Sequence, residues 1–353
     1  MSERDTIIVD TAARIFRDLC DPQTLNNAKD DSWKGPLWDA LEESGLTLTW
    51  VSDEVGGAGA GLFDGFDVLR VAGSYAVPVP LSETLLAGWL LEKAGITCPA
   101  GPMTIAPQRA KDRIEIDANG RLSGTAKQIP YAGETAHIAI VAHKGDQAHV
   151  ALVAAADCRI EAGRTIALDR QGAVDFTGVQ PLRCEPVPIS ADDLQMMGAA
   201  ARSTMIAGAL ETAMNISVQY AQERKAFGRN IGGFQAVQHN LSRLACEAAA
   251  ATAASGSANE AIANGDGLGG DAMLLEIASA KIRCGEAAGQ GAAIAHQAHG
   301  AIGFTQEHVL HRFTQRLWAW RDEFGSEAVW AVRLGNAMAR NGADALWPLL
   351  ASR

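Results

Sequence analysis

A short segment rich in charge and glycine interrupts two long helical patterns, and it carries the residues best suited to bind an anion. Apolar residues recur at three- and four-residue steps over 194–216 and again over 237–248, which predicts a helix on either side. Three glycines between residues 228 and 233 end the first helix, so that Arg224 and Phe227 lie at a helix-to-helix corner. Because a guanidinium binds phosphate oxygens through paired hydrogen bonds, this corner is predicted to be an anion site with an aromatic ring beside it.

Two pairs of histidines raise the question of a metal site. His296 and His299 are spaced to share one helix face, and so are His308 and His311. A zinc site needs a further ligand at close spacing, and neither a cysteine nor a carboxylate offers an obvious one. We therefore expect no metal here, and we expect these rings to pack or to form hydrogen bonds at the end of a bundle.

Composition limits the classes of partner. The chain has 353 residues and a formal net charge of −11, and its Lys/Arg runs are no longer than a pair, which argues against nucleic acid or an anionic membrane as the main partner. Six cysteines are scattered without a Cys-x-x-Cys motif, so reduced thiols are expected. The first residues lack an apolar signal region, and we expect a cytoplasmic protein.

The order of local patterns predicts an α+β protein with three parts. Residues 1–98 carry helix-spaced apolar positions, and residues 190–353 return to that spacing after Ser190, which begins a capping box with Asp193. Between them, residues 99–189 contain short runs that alternate like strands, with turn signals at 119–120 and 144–146. Strands without intervening helices predict an antiparallel barrel or sandwich.

Three segments also resemble a known family. Residues 223–239 (Glu-Arg-Lys-Ala-Phe-Gly, then Ile-Gly-Gly-Phe-Gln-Ala-Val-Gln-His) and residues 296–305 (His-Gln-Ala-His-Gly-Ala-Ile-Gly-Phe-Thr) are similar to the two flavin-binding motifs of acyl-CoA dehydrogenases, and residues 51–59 are similar to an N-terminal loop of that family. The resemblance implies an N-terminal helical domain (1–98), a middle antiparallel β-barrel (99–189) and a C-terminal four-helix bundle (190–353) with the FAD-binding motifs. The flavin would lie between barrel and bundle.

The resemblance also assigns roles to individual residues. Arg224 would bind the FAD pyrophosphate across a subunit interface, Phe227 would pack on the adenosine part and Gln235 would form a hydrogen bond with the cofactor. Gln297 and Gly300 would complete the cradle for its ADP part, although an alanine follows where the family usually has a second glycine. The plainer alternative is a surface arginine that pairs with Glu223 or Glu247, with Phe227 as an ordinary core residue.

The family's reaction requires a carboxylate base, and this chain departs from the pattern there. At the commonest family position, about twenty residues past the downstream motif, stands Phe324, and the nearest acid is Glu323, one residue earlier. The other family position falls at Gly198. If residues 323 and 324 continue a regular helix, the one-residue offset turns Glu323 away by about 100°. In that case we expect that Glu323 does not act as the base. Glu323 is the candidate base only if the backbone at residues 323 and 324 departs from a regular helix.

A further departure lies in the middle part, where the usual Thr-Glu-Pro-Gly-Ala-Gly-Ser-Asp loop has no counterpart and residues 127–132 replace the flavin-side strand. Together these departures resemble the smaller, base-lacking subunit of heterotetrameric acyl-CoA dehydrogenases of sterol side-chain degradation.

Two functions therefore remain open. The first is FAD-dependent α,β-dehydrogenation of an acyl-CoA, with electrons passed to an electron-transfer flavoprotein, in a homo- or hetero-tetramer with a related subunit. The second is an inactive paralogue that keeps the fold as a structural or regulatory scaffold.

Overall fold

The structure, a computed structural model, describes residues 7–351, and helices form its N-terminal part. Residues with helix-spaced apolar positions form these helices and bury one face of each, as the pattern predicts. The five helices are α1 (Ile7–Leu19), α2 (Pro22–Asn26), α3 (Lys34–Glu43), α4 (Leu62–Ser74) and α5 (Leu81–Lys93).

Strands follow from residue 103 onward. The strands are β1 (Met103–Ala106), β2 (Glu115–Ile116), β3 (Leu122–Ser123), β4 (Thr125–Pro130), β5 (His137–Lys144), β6 (Gln147–Ala154), β7 (Arg159–Arg164), β8 (Arg170–Asp175) and β9 (Arg183–Pro186). The two turn signals lie where hairpins occur, between β2 and β3 and between β5 and β6.

The predicted closed antiparallel barrel is wrong, because these strands form two separate sheets. One has the order β3-β2-β5-β6-β9 with β1 beside β5, and the other has the order β4-β8-β7. The larger sheet is mixed, since β1 and β2 both run parallel to β5. Apolar residues of both sheets, such as Ile140 and Phe176, meet in one buried core, so the arrangement is a sandwich.

The C-terminal part is again helical. Its elements are α6 (Ala191–Glu223), a hairpin of β10 (Lys225–Ala226) and β11 (Arg229–Asn230), α7 (Gln235–Asn264), α8 (Asp271–His299), α9 (Leu310–Asp322), α10 (Glu327–Asn341) and α11 (Ala343–Ala351). Helices α6, α7 and α8 pack along one another, and α9 packs on α6 and α8. Within residues 7–351, no helix is both long and apolar enough to cross a bilayer.

Two glycines allow α6 to approach the N-terminal helices closely. A Cβ atom at Gly208 would lie 2.1 Å from the Arg70 carbonyl oxygen of α4, and one at Gly73 would lie 2.2 Å from the Met205 carbonyl oxygen of α6. Neither position can accept a side chain without moving a backbone. The small residues of α6 therefore join the N-terminal helices and the C-terminal bundle into one large core.

A buried ion network crosses this core. Arg202 of α6 pairs with Glu83 of α5 and with Glu323, which follows α9, and its Nε lies 2.5 Å from Glu323 Oε2. Arg202 is only 2% exposed. Burial disfavours its charge, but the two carboxylates outweigh this and raise the pKa of Arg202 above its usual value. One guanidinium thus links three distant parts of the chain.

We predict that Arg202→Met lowers the free energy of unfolding by about 3–5 kcal/mol, because two buried carboxylates lose their partner. Adding Glu83→Gln and Glu323→Gln should recover more than half of the loss, since both uncompensated charges are then removed. Urea denaturation measures each variant. The matched control is Arg70→Met at the exposed Arg70–Glu211 pair, which should cost less than about 1 kcal/mol. Equal losses at the two arginines would contradict this account.

Candidate functional site

Helix α6 organises the site because chemically distinctive groups lie at both of its ends. It begins with the predicted capping box, in which Asp193 N donates to Ser190 Oγ at 3.3 Å and Ser190 N donates to Asp193 Oδ2 at 2.7 Å. It ends 33 residues later, at Glu223. At 1.5 Å per residue the two ends are about 50 Å apart along the helix.

The C-terminal end of α6 leads into a hairpin and not directly into the next helix. Arg224 leaves the helix with extended backbone angles, and residues 225–230 form the paired strands β10 and β11. Phe227 and Gly228 make the turn with φ of 52° and 81°. A short 3-10 helix over 231–233 then leads to Gln235, where α7 begins. The predicted simple corner between helices is wrong in this detail.

The structure brings the five predicted flavin-binding residues to this one end of the bundle. Tyr220, in the last turn of α6, stacks on His299, in the last turn of α8, with ring centroids 4.4 Å apart. The residues that this contact brings to the same end are all exposed: Arg224, Phe227, Gln235, Gln297 and Gly300. We call them the distal cluster.

The distal cluster forms a surface and not a pocket. Phe227 is 95% exposed, so the alternative that it is a core residue is wrong. Glu247 pairs with Arg283, and Arg224 forms no ion pair within residues 7–351. An unpaired guanidinium can bind an anionic group, and the exposed aromatic ring beside it can pack on a flat group of the same ligand. An open surface of this kind suits a ligand that is held by another molecule.

The four histidines pack just below this surface. His296 Nε2 lies 2.9 Å from Thr314 Oγ1, and His299 Nδ1 lies 2.8 Å from the Ala295 carbonyl oxygen. Burial lowers the pKa of His299 to about 4, so its ring is neutral at pH 7. His308 packs edge-on against the His299 ring, and the group supports the end of α8.

A cleft of about 1000 Å³ opens at the other end of α6. It lies between the loop that follows β1, the first turns of α6 and helix α10. Four basic side chains line it, together with two acidic ones: Arg109, Lys111, Arg333 and Arg340, with Asp192 and Asp322. Two of these cations are already paired, Arg109 with Asp112 and Arg333 with Asp192, so Lys111 and Arg340 are the side chains that favour an anionic ligand in this cleft.

Two groups in the cleft are free to bind such a ligand. Gln108 is 3% exposed, and its Nε2 has no hydrogen-bond partner in the described chain, which is unusual for a buried amide. Helix α10 begins after Ser326, whose side chain does not cap it, and the Glu327 carboxylate accepts a hydrogen bond from its own backbone amide, so the amides that follow Glu327 remain available. The sequence analysis missed Gln108, because a glutamine between a proline and an arginine in a loop gives no signal of this role.

The two positions that the resemblance gives for the base, Gly198 and Phe324, meet at the edge of this cleft, and neither holds an acid. A Cβ atom at Gly198 would lie 2.3 Å from the Phe324 ring, so the ring packs directly against the backbone of α6. Phe324 is 1% exposed. An apolar ring therefore fills the space that a carboxylate from either position would need.

The turn after α9 explains where Glu323 points. The assumption of a regular helix through residues 323 and 324 is wrong, because α9 ends at Asp322 and Glu323 is extended. Phe324 and Gly325 then adopt φ of 54° and 93°, and Trp330 Nε1 donates to the Phe324 carbonyl oxygen at 2.9 Å. The Glu323 carboxylate turns inward to Arg202 and does not line the cleft.

Little space surrounds this inward carboxylate. The cavity that Glu83, Tyr131, Arg202 and Glu323 share has a volume of about 10 Å³, which is less than a chain of carbon atoms requires. Burial raises the pKa of Glu323, and Arg202 opposes that rise. The position of Glu323 fits a structural partner of Arg202.

A buried lysine holds the same turn from the other side. Lys281 of α8 donates from Nζ to the carbonyl oxygens of Trp320 at 3.0 Å and Arg321 at 2.6 Å, which are the last carbonyls of α9. It is fully buried, and burial lowers its pKa from the ordinary 10.5 to about 8. Lys281 thus fixes the residues immediately before Glu323 and Phe324.

Comparison with known proteins finds similarity in sequence and in fold. Residues 194–337 match the family model described as acyl-CoA dehydrogenase, C-terminal domain. It is 29% identical over 293 residues to acyl-CoA dehydrogenase IpdE2 of Mycobacterium tuberculosis, which covers 82% of each chain. It is 26% identical to acyl-CoA dehydrogenase FadE34 of the same organism over 86% of this chain and 42% of that protein.

Solved structures show the same fold. The structure of the ChsE4–ChsE5 complex from Mycobacterium tuberculosis has a TM-score of 0.85 at 23% identity, over 97% of this chain and 100% of the matched chain. The Tcur3481–Tcur3483 steroid ACAD has a TM-score of 0.84 at 24% identity, over 95% and 98%. The acyl-CoA dehydrogenase fold is thus confirmed, with an open sandwich in its middle part.

We predict that Lys281 makes stability rise with pH in a defined window. Its folded pKa of about 8 lies below the ordinary value of 10.5, so the unfolded chain binds the extra proton between these two values. The wild type should therefore gain up to about 3 kcal/mol relative to Lys281→Met as the pH rises from 8 to 10.5. Urea denaturation of both proteins across this range measures the gain. A difference that does not change with pH would contradict the assignment.

Proposed function

We propose that this chain is the base-lacking subunit of a hetero-oligomeric, FAD-dependent acyl-CoA dehydrogenase of sterol side-chain degradation. A related subunit would supply the carboxylate that removes the α-proton of the acyl-CoA. The observation that carries this proposal is the packing of Phe324 against Gly198, because it leaves an apolar ring at both family base positions. Glu323, the remaining candidate, is held by Arg202.

The proposed cofactor fits the chain at two separate places. In the cleft, the basic side chains would offset the charge of the pyrophosphate, and Gln108 Nε2 would donate a hydrogen bond. In the distal cluster, Arg224, Phe227, Gln235, Gln297 and Gly300 would hold the ADP part of a cofactor that lies mainly in another subunit. Because these places are about 50 Å apart along α6, one flavin cannot contact both on the same chain. Each flavin site would therefore need two chains.

When bound, FAD supplies the acceptor for the β-hydride of the acyl-CoA, and an electron-transfer flavoprotein would then accept the electrons. The contribution of this chain would be to bind and orient. Phe324 would exclude water beside the cleft, and the distal cluster would complete the neighbouring site. We also propose that the chain has three domains, at residues 1–98, 99–189 and 190–353. The third domain would carry the interface with the related subunit.

The relatives support a hetero-oligomer. The matched crystal structures are named as a ChsE4–ChsE5 complex and a Tcur3481–Tcur3483 steroid ACAD, each of which pairs two proteins. IpdE2 and FadE34 are both named as acyl-CoA dehydrogenases.

An inactive scaffold is the second candidate, and the nearly filled cavity around Glu83, Arg202 and Glu323 favours it. A scaffold can keep the fold without binding flavin. Flavin titration of the oligomer distinguishes the two candidates, because only the enzyme subunit needs the distal cluster for cofactor affinity.

We predict that Arg224→Ala weakens FAD binding by the complex with its related subunit at least ~10-fold, since a charge-assisted contact to phosphate is lost. Flavin absorbance of the purified complex, titrated with FAD, measures the affinity. The matched control is Arg243→Ala on α7, another exposed arginine, which should bind FAD like the wild type. If Arg224→Ala binds FAD normally, the distal cluster does not hold the cofactor and the scaffold is favoured.

We predict that Glu323→Gln leaves the turnover of the complex nearly unchanged, because the α-proton is removed by the partner's acid. Loss of a true general base costs at least ~100-fold. Acyl-CoA-dependent reduction of an electron acceptor measures turnover, and circular dichroism checks that the variant is folded. A folded, flavin-containing variant without activity would show that Glu323 is the base.

A further inference from the structure

A second cavity, of about 450 Å³, lies away from both the cleft and the distal cluster. Its walls are the segment between α2 and α3, the β7–β8 hairpin and the first half of α9. None of the five residues of the distal cluster lines it, and none of the cleft residues does. We call it the arginine cavity, because Arg312 and Arg316 form its floor on α9.

The two arginines lie one helical turn apart on α9, and Arg316 is buried whereas Arg312 is partly buried. Arg316 is 3% exposed, its Nη2 lies 2.5 Å from Asp169 Oδ1 and its Nη1 donates to the Arg312 carbonyl oxygen at 3.1 Å. The Nε atoms of both arginines are buried and have no hydrogen-bond partner in the described chain. Buried guanidinium N–H groups are rarely left unsatisfied, so these two donors are available to a ligand.

Four carboxylates line the cavity, and each of them has another partner. Asp169 is bound to Arg316, and Glu134 is bound to Lys34 at 3.0 Å and to Arg170 at 3.3 Å. Asp31 is bound to Lys34 at 3.1 Å, and Asp30 Oδ1 accepts a hydrogen bond from Ser32 N at 3.0 Å. Within residues 7–351, Arg312 forms no ion pair with a carboxylate.

The thiol of Cys20 lies close to both arginines, but it carries no charge at pH 7. Burial raises its pKa to about 12. The same burial lowers the pKa of Arg312 to about 10, and the charge of Arg316 adds to this effect. Asp169 opposes this shift in part, but it is already paired with Arg316. Arg312 is therefore a partly buried cation without a carboxylate partner of its own, and such a charge is costly to bury.

We propose that the arginine cavity binds a small oxyanion, a phosphate or carboxylate group of a metabolite, through Arg312 and Arg316. The planar fork of a guanidinium matches both groups, and two neighbouring forks can surround one anion. The mouth of the cavity is partly apolar, with a half-buried Trp33 and with Leu168 and Phe304, which are 61% and 67% exposed. The ligand would thus carry its charge at one end and an apolar body at the other.

The proposal does not depend on the flavin or on a partner subunit, so the chain itself can be tested. Isothermal titration with inorganic phosphate and, separately, with malonate should give saturable binding to the wild type, and the tighter of the two identifies the preferred group. Arg312→Gln should weaken that binding at least ~10-fold, because a charge-assisted pair of contacts is lost. Arg14→Gln, an exposed arginine on α1, removes the same charge elsewhere and should leave binding unchanged.

A second measurement guards against misfolding of the variant. Without added anion, Arg312→Gln should melt at the same temperature as the wild type or higher, because it removes an uncompensated buried charge. Phosphate or malonate should then raise the melting temperature of the wild type and of Arg14→Gln, but not that of Arg312→Gln. The proposal is overturned if neither anion binds saturably up to 10 mM, a concentration of about 10⁻² M that corresponds to very weak affinity, or if Arg312→Gln binds as the wild type does.

Discussion

The buried pairing of Arg202 with Glu83 and Glu323 is the interaction on which the site depends. Three charges are taken out of water, which costs free energy, and only close pairing of all three recovers it. Because Glu83 lies on α5, Arg202 on α6 and Glu323 after α9, the pairing fixes the relative positions of these elements. It also brings the Arg202 guanidinium to 5.7 Å from the centre of the Phe324 ring.

This constraint determines which groups can reach the cleft. Once Glu323 is turned inward and Lys281 holds the last carbonyls of α9, the next residue must enter the space beside Gly198, and that residue is Phe324. An acid at the cleft edge would require either a side chain at residue 198, where the ring leaves no space, or replacement of Phe324 itself. The packing of the Phe324 ring against Gly198 therefore keeps an acid from residue 198 as well as from residue 324.

The sequence was sufficient for the helices and for several local signals. The capping box at Ser190 and the turns at 119–120 and 144–146 were predicted from spacing and from turn chemistry. The exposed and buried residues of β4, β7 and β9 do not alternate regularly, so these strands carry little strand signal in the sequence.

The site was harder to predict because its contacts join distant residues. Arg202 and Glu323 are 121 positions apart, and Phe324 meets Gly198 only because α9 ends at Asp322. Local spacing carries no information about such pairs, and the assumption of a regular helix at Glu323 failed for this reason. One signal was present: Arg202 follows three alanines in a helix rich in small and apolar residues, a pattern that indicates a buried charge that needs a partner.

The cleft and the distal cluster lie at opposite ends of α6, and we therefore propose that each flavin site needs two chains. The amount of FAD bound per chain tests this proposal, measured by flavin absorbance together with the mass from sedimentation. We expect almost no bound FAD for the chain as a monomer, and stoichiometric FAD once it is assembled with its related subunit. A monomer that retains one FAD per chain through gel filtration would contradict it.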